Sequence, residues 1–273
     1  MVAAHDILKL ELVDINSIGD QAAGLNEPSG LTLDAEGRSL FTVSDDTKAI
    51  FRIDLKGKLL ITESFFVEVN DLEGIACTPD GRELLVVEEG TNSIICIDQK
   101  RRISLRHCPL SGMKNYTKIK KYFSKGIHNK GLEGITIDPL SLKVYVVKEG
   151  QPGLIIEVSA DLTTILNARL LESSNGFKHP KVSEKKLDFS GLSYDCSRNL
   201  IWIASDKGEC IYLYDWEENC VVQRIDLQRS LETKKKLIRK IEGVAVDNTG
   251  EYLYAVSERD SILYSYKITS SKH

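Results

Sequence analysis

One short phrase, a small or acidic residue followed by glycine and an apolar residue, recurs five times and constrains the fold more than any other feature. An apolar run of four begins ten residues after each glycine, and an acidic residue stands fifteen residues after each glycine. The copies are Ser29-Gly30-Leu31, Glu73-Gly74-Ile75, Glu133-Gly134-Ile135, Ser190-Gly191-Leu192 and Glu242-Gly243-Val244. A repeat that keeps one phase along the whole chain indicates a modular architecture.

The five copies average about 55 residues each. Each contains three strand-like segments separated by turns, and a fourth segment follows in the first four copies, as at Leu59–Val67 and Val221–Leu227. Four antiparallel strands repeated around an axis form a β-propeller blade. We therefore predict an all-β fold, a five-bladed β-propeller with four-stranded blades, as a single domain over residues 1–273. The blades are expected to start near residues 28, 72, 132, 189 and 241.

The fifth copy ends after its third strand-like segment, which leaves its blade one strand short. The N-terminal stretch Ile7–Ile15 alternates apolar and polar residues and belongs to no repeat. We predict that this stretch supplies the fourth strand of the last blade. Such a closure joins the two ends of the ring and covers a strand edge that would otherwise be exposed.

Composition excludes several classes of protein. Hydrophobic residues make up 42% and charged residues 28%, as in a globular protein with a packed core, and the net charge of -4 argues against a nucleic-acid partner. No apolar run approaches the ~20 residues of a membrane span. The N-terminus has no signal-peptide pattern, so we expect a cytoplasmic location, or a cell-envelope location if an anchor or signal has been removed. The sequence does not indicate the oligomeric state.

The residue before each repeat glycine is the candidate metal ligand. In a propeller the first strand of each blade lines the central channel, so these five residues should form an inner ring on the axis: Ser29, Glu73, Glu133, Ser190 and Glu242. Carboxylates this close repel one another unless a cation lies between them. Oxygen ligands without histidine or cysteine favour Ca²⁺. The alternative is a set of hydrated glutamates that line the pore and bind no metal.

The acids fifteen residues after each glycine should form an outer ring on the same rim: Asp45, Glu89, Glu149, Asp206 and Glu258. For most of them we expect a structural role, in which the carboxylate organises a turn by accepting backbone N–H groups. If the protein is an enzyme, Glu89 and Asp45 are the candidate catalytic bases.

Two loops that should reach this rim are rich in lysine. Gly112–Gly131 carries six lysines and no acid, and Gln228–Lys240 carries six basic residues and one acid. A basic collar above a cation would suit a small anionic molecule that contains phosphate. The candidate ligand-binding residues are Lys148, Lys207, Arg259, Lys234 and Lys235. The alternative is that these lysines are only solvated.

The motifs around the repeat glycines resemble those of the SdiA-regulated (YjiK-like) bacterial propellers along the whole chain. The motifs are Leu72-Glu-Gly-Ile75, Gly131-Leu-Glu-Gly-Ile135, Phe189-Ser-Gly-Leu192, Ile241-Glu-Gly-Val244 and Val256-Ser-Glu258. The resemblance implies calcium binding and, in many members, a membrane anchor. The inner-ring order also resembles the ring that holds calcium in five-bladed calcium-activated nucleotidases (apyrases), and the motif style is similar to that of phytase-like propellers.

Three functions remain open from the sequence. The first is a calcium-binding propeller that binds an anionic ligand at the channel mouth. The second is a calcium-dependent hydrolase of phosphoesters or phosphoanhydrides. The third is a protein-interaction scaffold in which calcium only joins the blades. The chain has no G-x-S-x-G elbow, so a hydrolase of that class is not expected.

Overall fold

The computed structural model describes residues 6–44, 47–123, 130–150, 152–228 and 237–271. Within these ranges twenty strands form five four-stranded antiparallel sheets, and the only helices are short 3-10 turns. The sheets are the five blades of a β-propeller, which confirms the predicted fold class. The predicted site residues Asp45, Lys234 and Lys235 lie outside the described ranges.

The twenty strands follow one another along the chain. They are β1 (Ile7–Ser17), β2 (Pro28–Leu33), β3 (Ser39–Ser44), β4 (Ala49–Asp54), β5 (Phe65–Phe66), β6 (Leu72–Cys77), β7 (Glu83–Glu88), β8 (Ser93–Asp98), β9 (Ile103–Pro109), β10 (Leu132–Ile137), β11 (Val144–Lys148), β12 (Leu154–Val158), β13 (Ile165–Leu170), β14 (Leu192–Asp195), β15 (Leu200–Ser205), β16 (Cys210–Asp215), β17 (Cys220–Asp226), β18 (Ile241–Val246), β19 (Tyr252–Ser257) and β20 (Ile262–Ser271). The 3-10 turns are Ile61–Glu63, Leu110–Gly112, Tyr116–Lys118, Lys120–Phe123, Ser173–Asn175 and Glu184–Lys186.

The first four blades are each built from four consecutive strands, beginning with β2, β6, β10 and β14. The fifth blade has the order β1-β20-β19-β18, so the N-terminal strand is its fourth strand, as predicted. Strand β1 pairs with β20 from Ile7 opposite Ser271 to Ser17 opposite Ile262. This pairing covers the edge that β20 would otherwise expose.

The fourth strand of the first blade is much shorter than the predicted segment Leu59–Val67. β5 pairs with β4, Leu59 forms an isolated bridge with Ile53, and a 3-10 turn at Ile61–Glu63 separates the two. Arg52 explains the difference, because its backbone N–H donates to the Ser64 hydroxyl while its carbonyl accepts from Leu60. A compact turn therefore satisfies the β4 backbone groups that a longer strand would have paired.

The hydrophobic core lies between neighbouring blades rather than within one blade. Every residue of the second strands β3, β11 and β15 is buried. A typical cluster joins Val87 and Ile94 of the second blade to Ile135 and Val146 of the third. Within the described ranges, no helix has the length and apolarity needed to cross a membrane.

The five repeat glycines hold the first strands against one another around the axis. A Cβ added to Gly134 would lie 2.3 Å from the Ser190 carbonyl oxygen, and one added to Gly74 would lie 2.4 Å from the corresponding oxygen of Glu133. The ring closes at Gly243, whose added Cβ would lie 2.7 Å from the Ser29 oxygen. Only glycine permits this approach, which explains why it stands in every repeat.

In four of the five blades the residue before this glycine lies at an irregularity of the first strand, whereas Ser190 precedes the first residue of β14. The register with the second strand shifts between Leu72 and Ile75 in β6 and between Leu132 and Gly134 in β10, and β2 and β18 shift at the same place. A β-bulge breaks the alternation of side chains and redirects one of them. The repeated irregularity therefore accounts for the orientation of four of the five inner-ring side chains.

Candidate functional site

A polar cavity of about 330 Å³ lies at the end of the channel where the first strands begin, and we call it the carboxylate cavity. Eight acids, two lysines and two serines line it, which is a formal excess of six negative charges. The lining residues are Ser29, Glu73, Glu89, Glu133, Glu149, Asp188, Ser190, Asp206, Lys207, Lys240, Glu242 and Glu258.

All five residues of the predicted inner ring line this cavity. The two serines are buried, and the Ser190 hydroxyl donates a hydrogen bond of 2.5 Å to the Ile241 carbonyl oxygen across the blade boundary. Burial, together with the charges of neighbouring carboxylates, raises the pKa of Glu133 and of Glu242 well above the usual range of a glutamate. The cavity therefore holds carboxylates whose negative charge the surrounding protein does not compensate.

The four described outer-ring acids also line the cavity: Glu89, Glu149, Asp206 and Glu258. Each follows the last residue of a second strand, which brings it to the same rim as the inner ring. The Glu89 carboxylate accepts a hydrogen bond of 2.9 Å from the Gly131 N–H of the next blade, and burial raises the Glu89 pKa. The interpretation of these acids as residues of their own hairpins is therefore incomplete.

Three carboxylates from both rings meet between the second and third blades, and we call them the glutamate triad. Glu89, Glu133 and Glu149 each place an oxygen within 4.8 Å of the other two. Gly131 makes this possible, because a Cβ there would lie 2.7 Å from the Glu89 Cγ atom. The missing side chain at residue 131 gives Glu89 the space to reach across to the third blade.

Two lysines also line the cavity, and one of them adjoins the triad. The Lys207 ammonium lies 3.0 Å from the Asp188 carboxylate and 3.7 Å from that of Glu149. Lys240 forms an ion pair with Glu258. Burial, with the neighbouring Asp188 carboxylate, raises the pKa of Asp206 to about 6. The carboxylates and the ammonium groups are therefore interspersed around the cavity.

The other predicted cationic residues have different environments. Lys148 is buried, its ammonium donates to the Gly150 carbonyl oxygen, and desolvation lowers its pKa to about 8. Arg259 is exposed and does not line the cavity. From the lysine-rich loop before the third blade, Lys130 reaches the Glu149 carboxylate at 3.5 Å. Of the predicted ligand-binding cations that the structure describes, Lys207 is the one that lines the cavity.

Sequence reasoning missed two lining residues, Asp188 and Lys240. Asp188 is buried, and its carboxylate accepts hydrogen bonds from the Ser205 hydroxyl at 3.1 Å and from the Lys207 N–H at 2.9 Å. Both missed residues stand three positions before a repeat glycine, where the five copies have Glu27, Asp71, Gly131, Asp188 and Lys240. Four of these five positions carry a charged residue. This recurrence was the sequence signal for a third ring of charged residues, next to the inner and outer rings.

The family model described as SdiA-regulated matches residues 13–267, nearly the whole chain. The chain belongs to the SdiA-regulated family. This match confirms the resemblance that the glycine motifs predicted, and it includes all the residues that line the carboxylate cavity.

Among solved structures, this member of the SdiA-regulated family is similar to the glutaminyl cyclase of Myxococcus xanthus, with a TM-score of 0.63 and 12% sequence identity. That similarity covers 96% of this chain and 97% of the other. A structure of a nidogen/laminin complex matches with a TM-score of 0.52 and 17% identity, over 84% of this chain and 72% of the other. At these identities the similarities support the fold alone.

Proposed function

We propose that the carboxylate cavity binds a divalent cation, calcium in the first place, and through it a small anionic ligand at the channel mouth. The observation that carries the proposal is the glutamate triad, three carboxylate oxygens within 4.8 Å of one another inside a cavity with a large excess of negative charge. Membership of the SdiA-regulated family supports it through the expectation of calcium binding that this resemblance carries.

The dimensions and chemistry of the triad suit a hard cation. Calcium binds six to eight oxygens at about 2.3–2.6 Å, so two of its ligands are at most about 5 Å apart. Among the described residues, those that line the cavity offer carboxylates and hydroxyls and include no histidine or cysteine, which favours Ca²⁺ over Zn²⁺. In this proposal Glu133 belongs both to the inner ring and to the glutamate triad. The rest of the inner ring surrounds the ion in the carboxylate cavity: Ser29, Glu73, Ser190 and Glu242.

The lysines of the cavity favour an anionic ligand. Lys207 lies 3.7 Å from the Glu149 carboxylate of the triad, and Lys240 forms an ion pair with Glu258. A phosphate or carboxylate group bound to the cation would also meet ammonium groups of the lining, an arrangement that stabilises concentrated negative charge. Lys148 is buried, and its ammonium is already bonded to the Gly150 carbonyl oxygen.

A hydrolase is the second candidate function, and the raised pKa of Glu89 favours it. A carboxylate whose pKa lies closer to neutral pH is a better base for activating water on a metal-bound phosphoryl group. Glu89 is also a member of the triad, so one residue would have to serve as ligand and base. Release of phosphate from nucleotides, phytate and aryl phosphates, with and without calcium, distinguishes a hydrolase from a binding protein.

Calorimetric titration of the chelator-treated protein with calcium tests the proposal. We expect saturable binding to the unmodified protein, and an affinity at least about tenfold weaker in Glu133→Gln, because the amide keeps one oxygen but removes the charge. Glu36→Gln is the matched control, since Glu36 is exposed in a turn and lies outside the cavity. Absence of binding, or equal affinity in all three proteins, would contradict the proposal.

A further inference from the structure

A second polar concavity lies between the first and second blades, and we call it the basic groove. It has a volume of about 870 Å³ and shares no lining residue with the carboxylate cavity. Five cationic side chains line it, namely Arg52, Arg82, Lys100, Arg101 and Arg102, against the acids Glu63 and Asp98. An excess of positive charge in one groove of a chain with a net charge of -4 calls for an explanation.

One of the five cations is already paired within the protein. The Arg52 guanidinium bonds to Asp34 at 2.6 Å and to Glu63 at 2.7 Å, and it lies 5.1 Å from the centre of the Phe41 ring. Arg52 therefore forms a wall of the groove, and it neutralises Glu63. The charge that a ligand would meet comes from the four remaining cations and from Asp98.

Three of these cations belong to the turn between β8 and β9, and the turn does not need them. The fourth blade has the same turn between β16 and β17, in which Asp215 accepts the Glu218 N–H at 2.9 Å, as Asp98 accepts the Arg101 N–H at 2.7 Å. Both turns end on a residue with positive φ, 59° at Arg102 and 53° at Asn219.

The two turns have opposite charge in spite of this shared geometry. Lys100-Arg101-Arg102 in the second blade stands where the fourth blade has Glu217-Glu218-Asn219. Asparagine accepts a left-handed conformation more readily than arginine does. The basic sequence therefore has no structural cause in the turn itself, and it points to a role outside the blade.

Arg102 is held in the groove by contacts with the neighbouring blade. Its guanidinium donates to the Thr62 carbonyl oxygen at 2.8 Å and lies 5.4 Å from the centre of the Phe65 ring. One hydrogen bond leaves other N–H donors of the guanidinium available, since this group carries five. Arg82 and Arg101 are mostly exposed, with 84% and 73% of their side chains accessible, and their nearest carboxylates are 3.5 Å and 3.9 Å away.

We infer that the basic groove docks an acidic, extended polypeptide segment of a partner protein. The four available cations stand on two turns of the second blade along an open groove, which suits several carboxylates in a row better than a single phosphate group. Guanidinium groups bind carboxylates in a bidentate manner, and immobilised ones lose less entropy when they do so. The negative charge of the rest of the chain disfavours a long polyanion such as nucleic acid, which would have to pass over acidic surface.

Fluorescence anisotropy with a labelled decamer of glutamate tests the inference, with a glutamine decamer as the neutral probe. The titrations contain chelator, so that the result does not depend on the cation proposed for the carboxylate cavity. We expect the glutamate decamer to bind, the glutamine decamer not to bind, and the affinity to fall as salt is raised from 50 to 300 mM. Vesicles with anionic lipid and a single-stranded oligonucleotide are tested in parallel.

The decisive variant is Lys100→Glu combined with Arg101→Glu, which gives the turn the charge of its counterpart in the fourth blade. We expect at least about tenfold weaker binding of the glutamate decamer. Lys56→Glu combined with Lys58→Glu is the matched control, because it makes the same change of charge at exposed residues in the turn that follows β4. Both variants should keep the melting temperature of the unmodified protein within a few degrees.

Each result of these binding measurements either supports or contradicts the role proposed for the basic groove. Loss of binding in the groove variant alone supports the inference. Equal loss in both variants would mean that net charge and not the groove attracts the peptide, and binding of the glutamine decamer would exclude recognition of carboxylates. Groove-dependent binding of vesicles or oligonucleotide without binding of the glutamate decamer would assign the groove to a different partner and overturn the inference.

Discussion

At the scale of single residues, one glycine decides where the carboxylates meet. Gly131 stands at a repeat position that carries a charged side chain in the other four copies, and its lack of a side chain gives Glu89 its path to Glu133 and Glu149. Period and spacing predicted that the two rings share one rim, and the inner ring and the four described outer-ring acids all line the carboxylate cavity. The glutamate triad could not be predicted in this way, because it depends on Gly131, where the third copy lacks the charged side chain that the other copies carry.

Asp206 should make the metal-free protein less stable at neutral pH than at acidic pH. Its pKa is raised from 3.8 in an unstructured chain to about 6, so between these values the folded state binds more protons than the unfolded state. Stability therefore falls as pH rises through this window and stays reduced above it. We expect Asp206→Asn to stabilise the chelated protein at pH 7.5 and to give a much smaller gain at pH 4.5.

Urea denaturation of both proteins at the two pH values measures this difference. Asp14→Asn serves as the control, because Asp14 is exposed on β1 and far from the carboxylate cavity. An equal gain at pH 4.5 and pH 7.5 would show that the effect of the substitution does not come from the titration of Asp206.

At the scale of structural elements, the blades could be predicted because several sequence patterns recur together in each copy and indicate the same strands. The apolar second strands and the glycine motif recur together, and four of the five copies also carry an aspartate four residues after the glycine. Asp247 is one of these aspartates, and its carboxylate accepts the Glu251 and Tyr252 N–H groups at 2.7 and 2.9 Å. The fourth strand of the first blade is shorter than the predicted segment Leu59–Val67 because a turn takes over part of its pairing. The Leu60 N–H donates to the Arg52 carbonyl oxygen, and the Arg52 N–H donates to the Ser64 hydroxyl.

The glycine ring makes a prediction about the packing of the first strands. Gly134→Ala should destabilise the fold by roughly 1–3 kcal/mol or more, because the new methyl group would overlap the Ser190 carbonyl oxygen and the backbone has no space to retreat. Gly112→Ala is the control, since its nearest neighbour would be a carbon of Pro109 at 3.8 Å. Equal free energies of unfolding for the two variants would contradict the role assigned to the ring.

At the scale of the whole molecule, the N-terminal strand determines whether the five blades form a closed ring. Strand β1 pairs with β20 along its length and buries Leu8 in the core between the fourth and fifth blades. It also contacts the fourth blade through the Gln223 side chain, which bonds to both Leu8 backbone groups at 2.9 and 2.8 Å. This one strand therefore joins the last two blades as well as the chain ends.

Removal of residues 1–17 should open the ring. We expect a melting temperature lower by roughly 10 °C or more and a tendency to aggregate through the exposed β20 edge. Removal of residues 1–5 alone, which leaves β1 intact, is the control. Calorimetry and size-exclusion chromatography measure both effects, and a truncated protein as stable and monodisperse as the control would show that closure by β1 is dispensable.

The molecule has two separate regions of concentrated charge, the acidic carboxylate cavity and the basic groove, which share no lining residue. The proposed function depends on the first. Diffraction from crystals grown with calcium, recorded at a wavelength where calcium scatters anomalously, tests it most directly. The account predicts an anomalous peak within about 2.3–2.6 Å of carboxylate oxygens of Glu133 and at least one other member of the glutamate triad. A fully hydrated cavity with no such peak at saturating calcium would contradict it.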